Sequence, residues 1–371
     1  MNFGLDLRPS LSRSTGAGAY ILALADRLPA LAPDDHFYFF SASLKERYAP
    51  RSWPGNASLV DRRLPVQALN FAWNRLGAPS LDRLVRAPLD LVHSPHPLIV
   101  PGRKARLVIT VHDLFFYKHP DMVRDEIRRD YVPFVRDHVK RADGVVCGSE
   151  YTAGEIRRLL DVPDSKLAVT PYGVDPVFSE EPSAAEVDAV LARYGLPRGA
   201  LLYVGSDDKR KNLPLLAMAY MGLAGRRRAF PPLVLVGPGS HWAQGGTIAG
   251  AQIRATGYLP VRDLRALMAA SALLVLASLE EGFGLPVAEA MTAGLPVVCS
   301  KGSALEEIAG DGALLVDPKD PRSVASGIER VLDDPALAES LRRKGRERSV
   351  RFDWDRAARQ TLDFYRKLLG R

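Results

Sequence analysis

The chain has 371 residues, of which 47% are apolar, 25% charged and 8% aromatic, with a formal net charge of +7. At about 100–200 residues per domain this length predicts two domains, and the ordinary composition excludes a disordered, collagen-like or coiled-coil chain. The first ten residues, MNFGLDLRPS, contain no apolar stretch of signal-peptide length, and the longest mostly apolar uncharged run, 213–225, falls short of the ~20 residues that span a bilayer, so a cytoplasmic protein is expected.

Along the chain, short strand-like runs alternate with longer helix-like stretches, which predicts an α/β fold with parallel sheets covered by helices on both faces. In the first half the predicted strands are 2–7, 37–41, 89–93, 107–111, 145–148 and 167–170, with helices near 18–31, 125–141 and 152–160. The stretch Pro171-Tyr172-Gly173-Val174-Asp175-Pro176 continues neither period and reads as an interdomain hinge. Beyond it the pattern restarts with strands at 201–205, 233–237, 253–256, 273–277, 297–300 and 313–316, and helices such as 213–223, 261–270 and 286–293. Helical spacing then runs through 324–332 and 335–350 and resumes in 354–369, where Trp354, Leu362, Tyr365 and Leu369 form an apolar stripe that must be buried.

Cys147 and Cys299 each end a β-branched run, the pattern of buried strand residues rather than of a disulfide or metal site. The positive charge is concentrated in the first half, where residues 1–174 carry 24 Lys+Arg against 19 Asp+Glu. Acids interleave with those bases, so a solvated helix face is the favoured reading and peripheral attraction to an anionic membrane surface the alternative. No recognition-helix, zinc-finger or RNP-like pattern points to nucleic acid.

The sharpest chemical signal is Glu281-Gly282-Phe283-Gly284-Leu285-Pro286-Val287-Ala288-Glu289, which leaves a predicted strand and opens a predicted helix. Pro suits a first helical turn and the two glycines let backbone N–H groups approach a ligand, so the segment makes a helix N-terminus aimed at an anion. Glu289 falls in the first helical turn, placed to accept from sugar hydroxyls, and Glu281 precedes the turn, facing the cleft.

This segment resembles the E-x7-E motif of the retaining, nucleotide-sugar-dependent glycosyltransferases of family 4, also called glycosyl transferases group 1. The resemblance extends in order along nearly the whole chain: Thr15-Gly16-Ala17-Gly18-Ala19-Tyr20 is similar to the family's glycine-rich first loop, Thr110-Val111-His112-Asp113 to its histidine segment, Tyr172-Gly173-Val174-Asp175 to its hinge, and Val204-Gly205-Ser206-Asp207-Asp208-Lys209-Arg210-Lys211-Asn212 to its basic phosphate loop. It implies the GT-B architecture, two Rossmann-like domains facing across a cleft, with the last helix crossing back to the first domain. The implied division is an acceptor-binding domain of residues 1–171 plus 354–371 and a nucleotide-sugar-binding domain of residues 172–353.

The resemblance also implies the roles. Arg210 and Lys211 would stabilise the leaving diphosphate, where a cation within ~4 Å contributes on the order of 4 kcal/mol at an effective dielectric near 20. The backbone of Gly282, Phe283, Gly284 and Leu285 would help, Glu289 would hold the ribose, and Glu281 and His112 would position the transferred sugar. Gly16 and Gly18, in a loop before a helix expected near Ala19, would close over the phosphates, and Tyr258 and Leu259 would meet the nucleobase. Relatives often carry Arg where this chain has Ser206, which shifts the phosphate load to Arg210 and Lys211.

The Asp353-Trp354-Asp355 triplet is rejected as a metal–diphosphate motif because it starts a helix and follows no strand. His93, His96 and His112 lack metal-ligand spacing, so no metal and no cofactor is expected. The expected activity is transfer of a hexose from a nucleotide sugar, GDP-mannose or a UDP-sugar with mannose favoured by family frequency, to a glycan or lipid-linked acceptor with retention of configuration. The alternatives are a nucleotide-sugar epimerase or hydrolase on the same fold, or a non-catalytic nucleotide-sugar-binding protein.

Overall fold

The computed structural model describes residues 1–11, 16–49, 51–227, 229–237, 247–248 and 251–371. Thr15 lies outside them. The chain forms two compact units, Met1–Gly173 with Asp353–Arg371, and Val174–Phe352.

The first unit is built on seven parallel strands: β1 (Asn2–Asp6), β2 (His36–Ala42), β3 (Ala57–Arg62), β4 (Leu91–Ser94), β5 (Arg106–Thr110), β6 (Gly144–Cys147) and β7 (Leu167–Val169), in the order β3-β2-β1-β4-β5-β6-β7. The inner strands are buried over most of their length because helices cover both faces; Phe3 sits in register between Phe37 and Leu91, all three buried. β3 was not predicted, since Ala57–Arg62 is half-buried along its whole length and carries the weak pattern of an edge strand.

One helical expectation changes. The helix expected over 125–141 is broken into Asp125–Asp130 and Val135–Arg141, because Pro133 lacks the N–H and clashes with the preceding turn. The segment 66–81 holds the helix Val66–Leu76, which buries Leu69 and Trp73 and ends at Gly77 in the left-handed region. At the other end of the chain the helix Trp354–Leu368 buries Trp354, Leu362, Phe364 and Tyr365 and packs on the helix Gly16–Leu31 of the same unit. Asp353 caps it by accepting from the Arg356 N–H at 2.9 Å, and Asp355 pairs with Arg27 at 2.6 Å. Both acids of the Asp-x-Asp triplet therefore serve the helix start.

The second unit contains β8 (Leu201–Val204), β9 (Leu233–Val236), β10 (Thr247–Ile248), β11 (Ala251–Gly257), β12 (Leu273–Leu276), β13 (Val297–Ser300) and β14 (Leu314–Val316), in the order β10-β11-β9-β8-β12-β13-β14. Six of them are parallel and the two-residue β10 is antiparallel to β11. An additional helix, Ala184–Tyr194, starts at a capping box in which Ser183 and Glu186 satisfy each other's backbone N–H groups. Cys147 and Cys299 are both free and buried.

Each strand order reverses once, between β1 and β4 in the first unit and between β8 and β12 in the second. Open α/β sheets bind ligands beyond the carboxyl ends of the strands at such a reversal. Among the described residues no helix is long and apolar enough to cross a membrane.

Candidate functional site

The reversal in the second unit gathers the residues with the most chemistry. After β8 the chain turns through Lys209–Lys211 and reaches Asn212 in the left-handed region, at φ 56°. Asn212 donates through its amide to the carbonyls of Ala277 (3.0 Å) and Pro318 (2.7 Å), and the Leu279 N–H donates to the Arg210 carbonyl at 2.8 Å. The basic loop is thereby clamped to the segment that follows β12.

That clamp brings Arg210 and Lys211 onto one carboxylate. Glu281 accepts from Arg210 Nη1 at 2.5 Å, from Lys211 Nζ at 2.6 Å and from the Ser278 hydroxyl at 2.7 Å. Glu281 is 4% exposed and Lys211 8%, so the carboxylate and the ammonium are buried together. The reason is electrostatic: a buried carboxylate or ammonium is costly alone, and pairing each with the other removes most of that cost. Burial alone would raise the Glu281 pKa, but Arg210 and Lys211 outweigh it and hold the carboxyl down at about 2. Two cations share one anion, leaving one positive charge in excess.

The next turn supplies N–H groups. Gly284 has φ 98°, and a Cβ there would lie 2.2 Å from Leu305 Cδ2, so glycine is required on both counts. The helix Leu285–Thr292 starts directly after it, with Pro286 in its first turn. Among the described residues the Gly284 and Leu285 N–H groups donate no hydrogen bond. Phe283 is buried edge-on against Phe352, and Gly282 is buried beside it.

Glu289, one turn into this helix, is half-buried, and its carboxylate makes no hydrogen bond or ion pair among the described residues. Burial, reinforced by the charge of Asp175, pushes its carboxyl up to about 7. The hydroxyl of Ser206 donates to Asp208 at 2.5 Å, while its carbonyl accepts from the Tyr203 hydroxyl at 2.7 Å. Tyr258 is half exposed and Leu259 half-buried at the end of β11. The ends of three adjacent strands are capped by glycines: Gly205 donates to the Val236 carbonyl and Gly237 to that of Gly257, and a Cβ on Gly237, at φ 103°, would lie 2.3 Å from the Gly205 oxygen.

In the first unit the helix begins at Gly16 rather than near Ala19, so Gly16 and Gly18 belong to its first turn. The buried face Tyr20, Ile21 and Leu24 carries that turn into the helix. His112, at the end of β5, is held on both sides: Nε2 donates to the Pro95 carbonyl at 3.0 Å and Nδ1 accepts from the Tyr172 hydroxyl at 2.6 Å. Burial lowers its pKa, so the ring is neutral with both nitrogens engaged. Tyr172 in turn stacks on Trp354 at 6.0 Å.

The other two histidines are also spoken for. His93 bonds Thr110 at 2.8 Å and the Tyr365 hydroxyl, and His96 bonds Asp6 at 3.1 Å. Among the described residues no group of three or more His, Cys, Asp or Glu side chains could hold a metal ion. Sequence reasoning passed over Ser278 and Asn212, which fix Glu281 and the basic loop; a Ser three residues before Glu281 was the only local signal for the first.

Residues 14–178 match the family model Glycosyltransferase Family 4, and residues 196–348 match Glycosyl transferases group 1. The chain is 32% identical to O-antigen chain mannosyltransferase B of Escherichia coli, over 95% of this chain and 96% of that protein. It is 30% identical to D-inositol 3-phosphate glycosyltransferase of Nocardioides sp., over 83% of this chain and 73% of that protein. Among solved structures, sucrose-phosphate synthase from Thermosynechococcus elongatus superposes with a TM-score of 0.78 at 22% identity, covering 100% of this chain and 99% of that one. WaaG, a glycosyltransferase involved in lipopolysaccharide biosynthesis, superposes with a TM-score of 0.74 at 17% identity, covering 97% and 98%. The fold is thus the GT-B type expected from the sequence, and the chain belongs to the group 1 glycosyltransferases of family 4.

Proposed function

We propose that this family 4 glycosyltransferase moves mannose from GDP-mannose to a hydroxyl of a glycan or lipid-linked acceptor, with retention of anomeric configuration. The observation that carries the reading is the switch point of the second unit, where Arg210 and Lys211 are held on Glu281 beside the uncommitted Gly284 and Leu285 N–H groups. As the bond from sugar C1 to the diphosphate oxygen breaks, negative charge grows on the leaving group. Fixed donors and cations that require no reorganisation stabilise that charge most.

Arg210 and Lys211 arrive already oriented, because Glu281 and Asn212 hold them. The excess positive charge of the trio and the start of the helix Leu285–Thr292 meet the diphosphate without a metal ion. Glu289, once ionised, accepts from the ribose hydroxyls. Ser206, Gly282, Phe283, Tyr258 and Leu259 line the donor, and His112 holds the transferred sugar through its locked, neutral ring. The acceptor oxygen bonds to C1 on the face the phosphate leaves, and its proton passes to the departing phosphate oxygen, so no covalent nucleophile is used. Mannose is favoured by the likeness to O-antigen chain mannosyltransferase B. The basic first half of the chain suits peripheral contact with an anionic membrane that presents a lipid-linked acceptor.

The test is a panel of nucleoside diphosphate sugars incubated with the full chain and mannose-terminated oligosaccharides, with products read by NMR. The expected product carries a new α-mannosidic linkage formed from GDP-mannose in the presence of EDTA. A β-linked product, or rapid release of free mannose with no transfer, would contradict the reading.

A further inference from the structure

We propose that Tyr172 is a positioning residue for the transfer reaction: its hydroxyl donates to Nδ1 of His112 and, with the Pro95 carbonyl at the opposite nitrogen, fixes the ring so that it offers the transferred sugar a donor, Nε2–H. The inference rests on the proposed assignment of His112 to that sugar and adds the residue that sets how the ring acts.

The partners of the ring determine where its proton sits. A carbonyl oxygen can only accept, so Nε2, 3.0 Å from the Pro95 oxygen, carries a proton. Burial disfavours the imidazolium; of the neighbouring groups that titrate, Asp113 favours it and His96 opposes it. Tyr20 meets the ring edge-on at 5.5 Å, and burial keeps its phenol, like that of Tyr172, protonated. The neutral ring thus has a lone pair at Nδ1, and the Tyr172 hydroxyl 2.6 Å away supplies the donor. A bond at each nitrogen stops the ring from swinging about its soft outer torsion, which a single bond would permit.

Tyr172 is itself fixed within the first unit. It is buried, stacks on Trp354 with the ring planes 20° apart and packs against Tyr20 at 4.8 Å. A Cβ on Gly148 would lie 2.8 Å from its Cζ, and a Cβ on Gly173, the next residue, would lie 2.2 Å from the Trp354 nitrogen. Glycine at both positions makes room for this placement. Phenylalanine would fill the same stack. The hydroxyl, costly to bury unless bonded, is accounted for by His112.

The consequence is chemical. With Nδ1 occupied, the ring gives a sugar oxygen the Nε2 proton, shared with the Pro95 carbonyl, and presents no basic lone pair to the acceptor hydroxyl. The acceptor's proton passes instead to the departing phosphate oxygen, and His112 ends the reaction as it began. A tilt of the ring would misplace the sugar carbon that reacts, and rate is sensitive to such a displacement.

The test uses the full chain as Tyr172→Phe, His112→Ala and the double variant. Phenylalanine keeps the packing, so the circular dichroism spectrum should match that of the wild type. Nitrogen NMR of the histidine rings reads the bond itself. In the wild type Nδ1 of His112 should lack a proton, and in Tyr172→Phe it should move downfield while Nε2 keeps its proton. In steady-state transfer from GDP-mannose, Tyr172→Phe should lower kcat about tenfold and leave GDP affinity unchanged. Added to His112→Ala, it should lower kcat no further. A merely structural role would lower kcat in both backgrounds; that result would overturn the proposal, as would an unchanged Nδ1 resonance. Failure of the wild type to transfer strikes the proposed function, a wild-type rate in His112→Ala strikes the assignment of His112 to the sugar, and either carries this inference with it. A slow His112→Ala beside a normal Tyr172→Phe strikes this inference alone.

Discussion

The two strand-order reversals solve the same problem with different charge. In the second unit, two cations lean on one buried carboxylate, Glu281, and one positive charge is left over beside the start of a helix. In the first, one guanidinium and one carboxylate, Arg8 and Asp6, pair, and His96 completes the set at 3.1 Å from Asp6. Both carboxylates are buried and both are held ionised by their partners. The difference is the ratio within each cluster: two cations to one carboxylate at one reversal, one to one at the other. Two reversals of similar strand order thus carry different sets of ionised side chains.

Breaking the excess should have the largest effect. Lys211→Ala leaves Arg210 to neutralise Glu281, so the unit stays folded, but no charge remains for the leaving group. Turnover should fall about 10²–10³-fold in a steady-state transfer assay, while the circular dichroism spectrum is unchanged. Removing the anion tests the same trio from the other side. Glu281→Ala leaves two cations uncompensated and should cost about 3–5 kcal/mol of unfolding free energy in denaturant titration. Because the Glu281 pKa is held at about 2, below its ordinary 4.5, the stability it contributes is complete above that ordinary value and is lost as pH falls toward 2. In Glu281→Gln the acid limb of melting temperature against pH should be flatter.

Glu289 behaves in the opposite sense. Its carboxyl is raised to about 7 by burial and by Asp175, so the folded chain holds a proton that the unfolded chain has released. Stability from this group is present below its ordinary pKa and declines as pH rises through about 7. Only the ionised form accepts two ribose hydroxyls, so nucleotide affinity measured by calorimetry should rise as pH increases from 6 to 8, and Glu289→Gln should abolish that rise. The smallest effect belongs to a residue remote from both reversals. Asp353→Ala removes one helix cap and should lower stability by about 1 kcal/mol, with transfer kinetics unchanged.

The sequence was most legible where a strong period coincided with burial. The continuous apolar runs of β9 and β12 show fully buried strands without ambiguity. The half-buried edge strand β3 carried no such signal, and the continuous helical period over 125–141 concealed the break that Pro133 imposes. At the site, the spacing of Glu281, Gly284, Pro286 and Glu289 located a helix start, and the basic loop located Arg210 and Lys211. The pairing of Glu281 with Arg210 and Lys211 was not readable, because it depends on a loop about 70 residues earlier being clamped by Asn212. The Asp6–Arg8 pair was missed for the complementary reason: two residues apart in sequence, they gain meaning only when the strand order places His96 beside them and the helix Val66–Leu76 brings Asn70.

The central claim is that a carboxylate-held cation pair, with backbone N–H groups, binds a diphosphate in the second unit without a divalent ion. Calorimetric titration of GDP and of GMP into the wild type and Lys211→Ala, all in EDTA, addresses it directly. The account predicts that the wild type binds GDP far more tightly than GMP and that Lys211→Ala loses most of that preference. Equal GDP affinity in the two proteins, or GDP binding that requires added magnesium, would contradict it.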